Sequence, residues 1–81
     1  MRTFSPELLR FARKEAGLTQ ARLAQKAKIS RSAIASIELG IHVPLSNTLA
    51  VLSLVLGRPE TYFFVENFQT TKQDSSNIPN T

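Results

Sequence analysis

The sequence predicts an all-α fold, a compact bundle of five short helices. Three observations carry the prediction. Glycine and proline cut the chain into segments of helical length. Apolar residues recur inside those segments at three-to-four spacing. A hydroxyl residue stands where each of the first three segments begins. No segment alternates with period two for long enough to argue for a strand.

The elements follow in order. Ser5-Pro6-Glu7 is a helix start: a capping hydroxyl, proline at the first helical position and an acid in the first turn. Leu8, Leu9, Ala12 and Ala16 then share a face, and Gly17 closes helix one, residues 6–16. Thr19 caps helix two, residues 20–27, with Leu23, Ala24 and Ala27 on one face. Lys28-Ile29 is a connector. Ser30 caps helix three, with Ile34 and Ile37 inward and Gly40 at its end. A loop, 41–44, leads to helix four, 45–56, which Gly57 ends. Arg58-Pro59-Glu60 starts a short helix five through Phe64. Residues 1–68 are expected to form one domain. From 69 to 81 the chain is polar and lacks the apolar groups to order itself, so a disordered tail is expected.

Composition excludes several function classes. With 81 residues there is room for one small domain. There is no cysteine and only one histidine, His42, so no disulfide framework, metal site or cofactor is expected. No paired acids share a face, and an enzyme is not expected. No apolar run is long enough to span a bilayer, and no signal peptide opens the chain; a cytoplasmic protein is expected. Net charge is +4, unevenly spread. Eight of the ten Lys and Arg residues lie in residues 1–31, against Glu7 and Glu15 alone. Such asymmetry suits a cationic face meeting a polyanion.

Helices two and three carry the motif. Leu23 and Ala24 face Ile34 and Ile37, with Ile29 in the corner. Ala24 is small enough to let the helices cross closely. The three-residue link Lys28-Ile29-Ser30 holds helix three across helix two and leaves its outer face free for a major groove. The runs Thr19-Gln20-Ala21-Arg22-Leu23-Ala24, Ile29-Ser30-Arg31-Ser32-Ala33-Ile34 and Ile37-Glu38-Leu39-Gly40 resemble the Cro and phage-repressor family, also called XRE-type regulators. The resemblance runs from about Leu8 to Leu56 and implies a lambda-repressor-like DNA-binding domain.

The resemblance also implies residue roles. Arg31, Ser32, Ala35 and Ser36 are the expected base contacts. Arg31 can fork onto guanine or clamp a phosphate; the serines discriminate weakly. Gln20, Arg22, Ser30, His42, Ser46 and Asn47 are the expected phosphate contacts. Arg13 and Glu38 match a structural salt bridge between helices one and three. Three positions depart from the family. Lys28 stands where glycine is common and is expected to carry a positive φ or an altered turn. Arg22 stands where an acid often completes a capping box with Thr19, so that box is expected to be lost. Ser36 stands where a longer polar side chain is frequent.

Helix four is apolar on more than one face. Val51, Leu54, Val55, Tyr62, Phe63 and Phe64 are the expected homodimer interface. The other reading is that Phe4, Phe63 and Phe64 close the base of the domain. The function these readings imply is a transcriptional regulator, repressor or autoregulator, bound as a homodimer to a palindromic operator on double-stranded DNA. The alternative is an antitoxin or restriction–modification controller that also engages a toxin or other protein partner. A membrane partner is not expected.

Overall fold

The computed structural model describes residues 1–66. The expected tail, 69–81, and Phe68 lie outside them. Four α-helices are flanked by two short strands: β1 (Arg2–Phe4), α1 (Pro6–Glu15), α2 (Gln20–Ala27), α3 (Arg31–Glu38), α4 (Ser46–Leu56), a 3₁₀ turn (Glu60–Phe63) and β2 (Phe64–Glu66).

Side-chain caps set three of the four helix starts. Ser5 Oγ accepts from the Leu8 amide at 3.2 Å, Thr19 Oγ1 from Arg22 at 3.0 Å, and Ser30 Oγ from Ala33 at 3.1 Å. Thr19 therefore caps α2 as expected, and Arg22 removes only the capping box, its side chain bonding Gln25 instead. An acid at position 22 would add only the returning side-chain bond; the backbone amide that Thr19 satisfies is present in any residue. Leu45 precedes α4 without a side-chain cap.

All four helices end alike. At each end one amide bonds back five residues and the one before it bonds back three. This double closure needs a left-handed residue. Gly17, Gly40 and Gly57 supply it at three ends, and Lys28 supplies it after α2 with φ 59° and ψ 42°. A lysine there holds a conformation that costs an L side chain about 1–2 kcal/mol.

Two expectations are corrected. The fifth helix is one 3₁₀ turn of four residues, because the backbone becomes extended at Phe64 (φ −114°, ψ 142°). The fold also contains strands: β1 pairs antiparallel with β2, Phe4 opposite Phe64 and Arg2 opposite Glu66. Three residues are too few to show an alternation, and the partners lie about sixty residues apart in sequence.

The core joins every element. Leu9, Leu23, Ile34, Leu52 and Phe63 are its fully buried large side chains, and Ala12, Ala24 and Ala27 let the helices approach. Phe63 stacks on Phe4 at 6.5 Å and meets Tyr62 edge-on at 5.0 Å. Phe63 is 0 % exposed, so it has no surface to offer a second copy. The base-closing reading holds for Phe4 and Phe63, and Phe63 leaves the expected interface.

Candidate nucleic-acid interface

The site is built outward from one ion pair. Arg13, in the last turn of α1, donates Nε to Glu38 Oε2 at 2.6 Å and Nη2 to Oε1 at 3.0 Å. Its third nitrogen, Nη1, donates to the Leu18 carbonyl at 2.8 Å. Arg10 donates to the Glu38 backbone carbonyl at 3.1 Å. Two arginines on α1 thus grip the C-terminal end of α3. Both partners of the pair are buried, so their geometry is fixed by packing as well as charge.

Gln20 joins this cluster from α2, its Nε2 donating to Glu38 Oε1 at 3.0 Å. One amide hydrogen is thereby committed, and the half-buried side chain keeps a second at the start of α2. The contact ties all three helices to a single carboxylate. Burial alone raises the Glu38 pKa; hydrogen bonds from Arg13 and Gln20, with the charges of Arg13 and Arg10, outweigh it. The carboxyl is held below its usual range.

The consequence for the outer surface is electrostatic. Between Glu15 and Glu60 the sequence holds one acid, Glu38, and five cations: Arg22, Lys26, Lys28, Arg31 and Arg58. That one acid is buried and already paired. Arg22, Lys26, Lys28 and Arg31 are exposed on α2, its end and the start of α3. Arg22 also donates to Gln25 Oε1 at 2.9 Å, which holds its guanidinium along α2.

The expected contact residues fall into groups. Arg31 and Ser32 are exposed in the first turn of α3; Ala35 and Ser36 continue the same face, half-buried. Ser30 is occupied as the α3 cap and lies 3.3 Å from Ser32 Oγ. His42, Ser46 and Asn47 are exposed beside α3, on the loop and first turn leading into α4. The structure also presents residues the sequence reading did not choose. Leu39 extends the α3 face, and Ile41, Val43 and Leu45 follow at every second position, all four 64–73 % exposed. Their signal in the sequence is that alternation across Gly40 to Pro44.

A capped α2, a tight left-handed corner and an α3 with an open outer face match a helix-turn-helix. A family model described as "Helix-turn-helix domain" matches residues 7–67. The chain belongs to that family. Solved structures agree. An HTH_3 family transcriptional regulator from Vibrio cholerae is 26 % identical with a TM-score of 0.66; the match covers 84 % of this chain and 36 % of that one. This chain therefore spans about a third of that protein's length. A hypothetical transcription factor, NHTF, from Neisseria is 16 % identical with a TM-score of 0.70, over 84 % of this chain and 78 % of that one. A chain from a SinR protein/SinI protein complex is 22 % identical with a TM-score of 0.70, over 91 % and 82 %. The last two show the fold alone. No curated protein sequence matches the chain. The family is one of DNA-binding regulators, which bears out the resemblance to XRE-type proteins. Among the described residues no cluster of three His, Cys, Asp or Glu is placed to hold a metal, and no helix is long and apolar enough to cross a membrane.

Proposed function

We propose that this helix-turn-helix protein binds operator DNA as a homodimer and represses transcription there. The observation that carries the reading is the charge arrangement around α3. The only acid between residues 16 and 59 is consumed inside the fold, while Arg22, Lys26, Lys28 and Arg31 stay exposed. A polyanion meets cations and hydroxyls there and no opposing charge. Arg31 and Ser32 read bases from the first turn of α3, with Ala35 and Ser36 behind them. Arg22, the second Gln20 amide hydrogen, His42, Ser46 and Asn47 hold the backbone on either side. Ser30 contributes as the cap that holds the first turn of α3 in place.

The dimer rests on α4. Ala50, Val51 and Leu54 form one exposed stripe at helical spacing; Leu54 is 81 % exposed and Val51 39 %. Val55, Tyr62 and Phe64 border it, half-buried against the core. An isologous contact along this stripe pairs two copies of α3 for successive major grooves about 34 Å apart.

The test is selection of bound duplexes from a random pool by the full chain. The expected result is a palindrome with half-site centres about 10 base pairs apart. Bound sequences without two-fold symmetry would contradict the dimer, and an unselected pool would contradict sequence-specific binding. The same exposed stripe supports a second reading, a protein partner seated on α4. A stable monomer that captures such a partner through Leu54 would favour it.

A further inference from the structure

An apolar groove of about 540 Å³ runs along α3, between that helix and the loop entering α4. Ala33 and Ile37 of α3 line one side, Val43, Pro44 and Leu45 the other. Hydroxyls of Ser32, Ser36 and Thr48 are set among them. Val43 and Leu45 are 70 % and 73 % exposed, so the loop wall stands open to solvent. This is an odd place for aliphatic side chains, since a wall that only tracked phosphates would be polar or basic.

We infer that this groove reads thymine methyl groups, with Val43 and Leu45 as specificity-determining residues. The inference rests on the proposed DNA binding. Charge selects the occupant. Among the described residues no acid lines the groove, and Arg31 and Lys28 are exposed around the start of α3. An acidic major groove complements that surface. Within a major groove the only apolar group on a natural unmodified base is the C5 methyl of thymine. The groove is also continuous with the α3 readers, because Ser32 and Ser36 line it. These serines are too short to discriminate strongly by hydrogen bonds, and methyl contacts supply the missing selectivity.

The test compares the duplex selected by the full chain with copies carrying deoxyuridine for thymidine at each position. This change removes one methyl and keeps every hydrogen-bonding group. Binding is expected to weaken about 4-fold for each methyl seated in the groove, which is ~0.8 kcal/mol for one buried carbon. Val43→Ser and Leu45→Ser should bind thymidine and deoxyuridine duplexes alike. Both sites are exposed, and serine at 45 supplies the missing α4 cap, so the fold is retained. Equal affinity for the two duplexes at every position would overturn the inference and leave DNA binding standing. Failure to bind any duplex would overturn both. A loss in the serine variants that ignores the methyl, or a change in sedimentation mass for Leu45→Ser in the free protein, would place a structural role or a second copy in the groove and overturn it too.

Discussion

The two halves of this molecule handle exposure in opposite ways. Around α2 and α3 the surface is cationic and the single acid is buried. Along α4 the surface is aliphatic and bears no charge between Leu45 and Gly57. In the first half, order comes from directional contacts: three caps, a bidentate ion pair and a glutamine aimed at the same carboxylate. In the second it comes from shape alone, with Leu49, Leu52, Leu56 and Phe63 inside and Val51 and Leu54 outside. The lesson is that the ion pair serves the polyanion surface twice. It locks α3 to α1, and it holds the one acid between Glu15 and Glu60 inside the fold, away from the surface proposed to meet DNA.

The comparison can be broken at its anchor. Glu38→Ala leaves Arg13 buried without its partner, and a loss of about 3–5 kcal/mol in urea unfolding is expected. In the other half, Phe63→Ala should cost a similar amount, about 3–5 kcal/mol, by opening a cavity. Leu54→Lys should leave monomer stability within about 0.5 kcal/mol and instead lower the sedimentation mass. A large stability loss for Leu54→Lys would show that the α4 stripe is core rather than contact surface.

Acid should affect the halves unequally. The Glu38 pKa is depressed in the folded protein, so its stabilisation is complete above the ordinary value of 4.5. That share is lost as pH falls through the depressed value. Unfolding free energy measured from pH 7 to pH 3 should therefore drop below about pH 4.5, and the drop should vanish in Glu38→Gln. A smaller effect than that of Glu38 is at the corner of the motif. Lys28→Gly should raise stability by about 1 kcal/mol by relieving the left-handed lysine. An unchanged or lower thermal midpoint would mean that the lysine stem repays that cost through contacts of its own.

Much of the fold was legible because its signals are local. Ser5-Pro6, Thr19 and Ser30 announce helix starts within three residues, and Gly17, Gly40 and Gly57 announce ends. Lys28 was legible as an exception for the same reason. Other features were not, because their causes are distant. Phe4 pairs with Phe64 across the length of the domain, and neither three-residue strand carries a pattern of its own. Helix four is apolar on nearly every side, so periodicity could not separate buried Leu52 from exposed Leu54. Gln20 read as a phosphate contact, yet one of its hydrogens is bound to Glu38, eighteen residues on. At the site, Arg31 and Ser32 stood out by type and place. Val43 and Leu45 did not, since exposed aliphatic residues look like core until the loop is placed.

The most direct measurement is the affinity of the selected duplex for the Arg31→Ala protein beside the unaltered chain, at one fixed salt concentration. A loss of roughly 5- to 150-fold is predicted, the range for one forked contact to a base. Equal affinity would contradict the account, because its principal base reader would then make no contact with the DNA.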